Sequence, residues 1–264
     1  MLRVSKCTSI LFFIFLLIFV SCTVKETIVF NNDGTGNYLI SYNMANAMKQ
    51  MQGVLSQPNT KGNNKGKVVD TLVVFKEIIE TYKDSVAALP EEKRLALEAV
   101  KDMYMKMNVD EEKGILDLGI GLNFNSIEEL KGIEKKIEKV RSLNSQNNQV
   151  SAIKSASPLG KYMGNDDGNV SYTLSNKTFS REAIFENLES AQEVAFDEGD
   201  KEFATYFENA FYIIEYTFPK KIKSYSKEGA QLSNDRRTIK FQSNWLDFIK
   251  KPKTLDIVIK FEDE

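Results

Sequence analysis

The stretch Val24–Tyr42, VKETIVFNNDGTGNYLISY, decides the fold. Ile28 and Phe30 alternate with Thr27 and Val29, the period-two pattern of a half-buried strand. Asn31-Asn32-Asp33-Gly34-Thr35-Gly36 follows, and Tyr38, Ile40 and Tyr42 lead out. Asp-Gly between two alternating runs predicts a hairpin, because glycine takes the positive φ that such a turn needs. Leu116–Phe124 repeats the signal: Leu116, Leu118, Ile120, Leu122 and Phe124 share one face. Gly119 and Gly121 stand on the other, where small residues admit a close neighbour.

Further strands are expected late in the chain. Val170–Phe179 reads as a hairpin turning at Ser175-Asn176-Lys177, and Phe203–Phe218 as aromatic and largely β. Lys220–Ser226, Thr238–Gln242 and Leu255–Phe261 are three more. Helices are predicted between them. Val68, Leu72, Phe75, Ile79, Tyr82, Val86 and Leu89 recur at steps of three and four. Pro90 stops that run, and a second runs from about Glu91 to Met107, giving a helical hairpin. Ser126-Ile127-Glu128-Glu129 has the form of a capping box, opening a helix that reaches Val140. Arg181–Phe196, Asn43–Gln52 and Asn244–Lys250 are the remaining helical predictions. The sum is an α+β fold whose mainly antiparallel sheet draws strands from both ends of the chain, with a helical insertion near 68–107. Segments 53–67 and 144–168, polar and rich in Gly, Asn and Ser, read as loops.

The N-terminus gives an address. MLRVSKCTSILFFIFLLIFVSC has Arg3 and Lys6 ahead of an apolar run from Ile10 to Val20. That run has the length of a secretory signal core and is too short to span a bilayer. With Ser21 and Cys22 behind it, the segment resembles the lipobox of bacterial lipoproteins. The resemblance implies cleavage before Cys22, residues 1–21 as a signal peptide, and diacylglycerol and acyl chains on Cys22. Residues 22–264 then form one domain tethered to the cell envelope by lipid. The alternative is an ordinary signal or uncleaved anchor, with Cys22 a plain thiol.

Composition narrows the chemistry. The 35 Lys and Arg nearly balance the 37 Asp and Glu, so no basic excess points to nucleic acid. There is no histidine, which removes Ser-His-Asp and Cys-His mechanisms and the common zinc sites. Of the two cysteines, Cys7 leaves with the signal and Cys22 carries lipid, so the domain is expected to fold without a disulfide.

No cofactor is implied. Asn31–Gly36 and Asn165–Gly168 lack the closing glutamate of a calcium loop. Gly62–Lys67 lacks the spacing and the hydroxyl of a phosphate loop. Glu189, Glu193 and Asp197 fall four apart, where a helix would stack them as a cation site, an acid/base pair for glycan cleavage, or a solvated face. Phe211, Tyr212, Ile214, Tyr216 and Phe218 offer either sheet core or one wall of an apolar groove.

Tyr216–Ile222, Leu232–Ile239 and Leu255–Ile259, coupled to Ile28–Phe30 and Asp33–Gly36 soon after the cysteine, resemble the LppM-type envelope lipoproteins. That resemblance implies an α+β envelope domain with no established enzymatic activity and a role with lipids. Three functions follow as expectations: a non-enzymatic module binding an apolar ligand or protein partner, an assembly component docking through 68–107, and a carboxylate enzyme acting on glycans.

Overall fold

The structure is a computed structural model and describes residues 23–43, 68–110, 115–143, 168–185 and 197–263. The leader with Cys22, the helix expected after Asn43, the 53–67 loop and residues 144–167 lie outside the described residues, as do Glu189 and Glu193.

β1 (Thr23–Phe30) and β2 (Gly36–Asn43) form the expected hairpin. Gly34 takes φ +85°, and its amide donates to Asn31 O at 3.2 Å. β3 (Val68–Val74) leads into three short helices, α1 (Phe75–Thr81), α2 (Lys83–Ala87) and α3 (Glu91–Ala99). β4 (Met103–Asp110) and β5 (Ile115–Phe124) follow, then a 3₁₀ turn (Ile127–Leu130) and α4 (Ile133–Leu143). β6 (Gly168–Leu174) and β7 (Thr178–Phe185) form the second hairpin. The last part holds α5 (Glu198–Ala204), β8 (Phe211–Thr217), β9 (Ile222–Tyr225), β10 (Gln231–Leu232), β11 (Thr238–Asn244), α6 (Trp245–Lys250) and β12 (Ile257–Phe261).

The described strands make two sheets. The larger has the order β10-β11-β8-β1-β2-β5-β4-β3, and the smaller β6-β7-β12-β9. All pairings are antiparallel except β1 with β8, which joins the first strand of the fold to its C-terminal third. The sheet thus draws its centre from both ends of the chain, as the alternating runs predict. One face of the large sheet is buried under the small sheet and helices, through Ile28, Phe30, Ile120, Leu122, Ile214 and Tyr216. The residues between them in sequence, among them Lys25, Thr27, Asn37 and Lys106, form the outer face.

Four elements differ from expectation. Val68–Val74 is strand, and Tyr104–Asp110 pairs with it residue for residue, so the predicted helical hairpin is a strand–helix–strand excursion. Val68, Val69, Val73 and Val74 are β-branched, and Met103, Met105 and Met107 also fit period two. The pairing available in the sheet overrides the weaker helical spacing. Arg181–Phe185 is strand because Thr178–Phe185 pairs on both sides, with β6 and β12. The first half of Phe203–Phe218 is not strand: Ala204 ends α5, and a 3₁₀ turn precedes β8. The capping box is rearranged, since Ser126 makes no side-chain cap and Glu129 instead accepts from the amide of Asn125 at 3.3 Å. Gly132, at φ +71°, then separates the 3₁₀ turn from α4.

Gly36 of the hairpin and Gly121 of β5 are needed for space. A Cβ on Gly121 would stand 2.2 Å from the ring of Tyr104, which lies across β5 with its hydroxyl on Asn37. A Cβ on Gly36 would stand 2.4 Å from the Val29 carbonyl and 2.3 Å from Phe124. Gly36→Ala is therefore expected to cost about 3 kcal/mol, at the upper end for overpacking. Gly34→Ala meets nothing within 4 Å and should cost only the left-handed backbone, about 1–2 kcal/mol. Denaturant midpoints of the two variants check the order.

Candidate functional site

The most highly charged feature of the core lies between the two sheets. β1 alternates, so Glu26 shares its inward face with Ile28 and Phe30, and it is 1% exposed. The registers place Ile214 of β8 and Ile40 of β2 directly beside it. Two residues either way, Tyr212 and Tyr216 stand on β8, and Tyr42 and Tyr38 on β2. These are the diagonal positions from which long aromatic side chains reach a cross-strand neighbour. From the small sheet, the facing pair Tyr172 and Arg181 closes over the carboxylate.

Every oxygen of Glu26 is engaged. Tyr212 donates to Oε2 at 2.9 Å, and Tyr172 to Oε1 at 2.9 Å. The Tyr216 hydroxyl also donates to Oε1, and Arg181 Nε lies 3.4 Å from the same atom. Arg181 is itself 1% exposed, and its Nη1 is 3.9 Å from Asp256 Oδ1. Burial opposes its charge, but Glu26 and the tyrosines around it together outweigh this and hold the guanidinium protonated. Burial, then the charge of Glu26, pushes Tyr38, Tyr172, Tyr212 and Tyr216 well above the usual tyrosine range. All four remain neutral hydroxyls. The result is an ion pair wrapped in phenols that ties β1 and β8 to β6 and β7. Charge-assisted bonds of this kind are worth about 1.5–3 kcal/mol each. Its carboxylate is filled by protein donors and enclosed, so the arrangement is suited to joining sheets.

The aromatic run therefore has a definite place. Tyr212, Ile214, Tyr216 and Phe218 are buried in the common core, and Phe211 is half-buried at the start of β8. Phe218 stacks on Phe30 at 5.3 Å and meets Phe179 at 5.1 Å and Phe261 at 5.0 Å. Glu26 and Arg181 carry the signal that sequence reasoning missed: a charged residue at a core-facing position in each of two alternating strands.

The acidic stretch is partly explained by capping. Asp197 N donates to Asp200 Oδ2 and Asp200 N to Asp197 Oδ1, both at 2.9 Å, at the start of α5. Among the described residues no cluster of acidic side chains could hold a metal ion.

Two open depressions mark the outer face, each of about 370 Å³. One is floored by Gly119 between Leu39, Lys106 and Leu72. The other, at the β1–β2 turn, is lined by Asn31, Asn37, Asn123 and Asn125. Large exposed apolar residues concentrate on the 68–107 excursion, where Val68, Leu72, Tyr82 and Leu95 are 60–66% exposed.

No family model matches the chain, and no curated protein matches it. Among solved structures, the NMR structure of the folded domain of the Mycobacterium tuberculosis LppM protein aligns over 91% of this chain and 89% of that one. The identity is 9% and the TM-score 0.33. At that level nothing about binding or activity carries over.

Two outcomes follow from the buried charges. Glu26→Gln leaves Arg181 uncompensated and should cost about 3–5 kcal/mol, as should Arg181→Met, which leaves Glu26 without its cation. The double variant should cost far less than the sum, and denaturant unfolding of all four proteins closes the cycle. Burial also raises the Glu134 carboxyl on α4 from 4.5 to about 7. The folded state then binds that proton more tightly than the unfolded chain, so its contribution to stability falls as pH rises from about 5 to 8. Glu134→Gln should flatten the decline in melting temperature across that window.

Proposed function

We propose that this chain is a lipid-anchored protein of the bacterial cell envelope whose domain does no chemistry and docks a protein partner through residues 68–107. The leader directs export, Cys22 carries the anchor, and β1 begins at Thr23, so the domain stands directly on its tether. No helix among the described residues is long and apolar enough to cross a membrane. The observation that carries the docking role is the exposure of Val68, Leu72, Tyr82 and Leu95 on one excursion of the chain. Large apolar side chains left exposed in one stretch of chain are surface that a partner could cover.

A groove for an acyl chain on Phe211–Phe218 is the competing role. It is disfavoured because Tyr212 and Tyr216 already hold Glu26 and because Phe218 is packed among other rings. Binding there would have to part the sheets.

The test has two arms. Cys22→Ser should abolish incorporation of labelled fatty acid and release the protein from the membrane fraction. Photo-crosslinking side chains placed at Leu72, Tyr82 or Leu95 in cells should trap a discrete protein adduct, whereas one at Lys240 on the far side of the sheet should not. Retained membrane attachment without acylation, or adducts independent of position, would overturn the proposal. Lipid recovered from the purified native protein, lost on Tyr212→Phe, would favour the groove instead.

A further inference from the structure

Edge strands are normally blunted by shortness, lysines, prolines or bulges, because their free N–H and C=O groups invite another strand. One edge of the large sheet follows this rule, since β10 is only two residues long. The other does not. β3 is seven residues, VVDTLVV, pairs with β4 without a register shift, and carries one charge, Asp70. Its outward side chains Val68 and Leu72 are exposed, and its inward Val69 and Val73 are half-buried.

The strand is close to a palindrome about Thr71. Two copies paired antiparallel on a two-fold axis at Thr71 would set Val68 against Val74, Val69 against Val73 and Asp70 against Leu72. All seven residues pair, and no like charges meet. Centring the axis on Asp70 would oppose two carboxylates, which is unfavourable. Leu72 is the direct neighbour of Lys106 on β4. Asp70 of each copy would therefore lie on the row of the other copy's Lys106, within reach across Leu72.

We propose that β3 pairs with β3 of a second copy of this chain, antiparallel about Thr71, making one continuous sheet. The inference rests on the reading of 68–107 as a docking surface and names its occupant. The tether is compatible with it. Thr71 is level with Met107, Met107 with Leu118, Leu118 with Tyr42, and Tyr42 with Val24. Each chain thus enters the joint sheet close to the row of the two-fold axis. Both Cys22 residues can then sit in one membrane lying along the sheet. Seven paired residues make a small interface, of the class that is weak in solution. Confinement by the anchor raises its effective concentration.

The full chain carrying Thr71→Cys, in isolated membranes under mild oxidation, is expected to give a disulfide-linked dimer. Thr71 is exposed, so the substitution leaves the core intact. The parent, which on this reading loses Cys7 with the signal and carries lipid on Cys22, sets the background. Val69→Cys alone should lose the cross-link, since Val69 faces Val73, and coexpression with Val73→Cys chains should restore it. Absence of the Thr71→Cys dimer, or equal dimer from Val69→Cys alone, overturns the proposal. If self-pairing fails while photo-crosslinks at Leu72 still trap another protein, the docking role stands with a different occupant. If both fail, the docking role falls too.

Discussion

A carboxylate taken out of water between two sheets must have its acceptor positions filled by protein donors, or the fold loses the solvation energy it gave up. Glu26 meets this condition with Tyr172, Tyr212, Tyr216 and Arg181. The donors come from β6, β8 and β7, so the requirement is satisfied only when both sheets are in register. A one-residue slip of β1 would turn Glu26 to solvent and strand Arg181. A buried ion pair is not in general a source of net stability, since an apolar replacement can do as well. Its effect here is to specify one relative placement of the sheets.

That placement commits the aromatic residues. Tyr212 and Tyr216 must project inward to reach Glu26, which brings Ile214 and Phe218 inward with them by the period of the strand. Phe218 then closes on Phe30, Phe179 and Phe261. The aromatic residues of β8 are thereby placed in the core, and the most exposed large apolar side chains lie elsewhere, on the excursion from Val68 to Met107. Among the described residues the space between the sheets is filled by side chains, and β3 is an edge of the large sheet.

The alternation of Ile28 and Phe30, the Asp33-Gly34 turn and the run Leu116–Phe124 were legible in the sequence, because local pattern and sheet environment agree there. The hairpin at Ser175–Lys177 and the short helix at Trp245 were legible for the same reason. Val68–Val74 was not, since its apolar residues satisfy both the three-four spacing and a strand, and only the pairing with Tyr104–Asp110 decides between them. Arg181–Phe185 misled in the same way. The polar centre was hidden for a different reason: Glu26 and Arg181 are 155 residues apart, and each alone looks like an ordinary surface charge.

The sequence by itself determined the fold class, the alternating faces of the central strands and the absence of histidine chemistry, because these follow from composition and from periods of two or four residues. Tertiary structure decided which charges are buried, that the Tyr212–Phe218 run is core, and that β3 stands at the edge of the large sheet among the described residues. Those properties depend on which strand lies beside which, and the parallel contact between β1 and β8 joins segments whose separation along the chain no local pattern records.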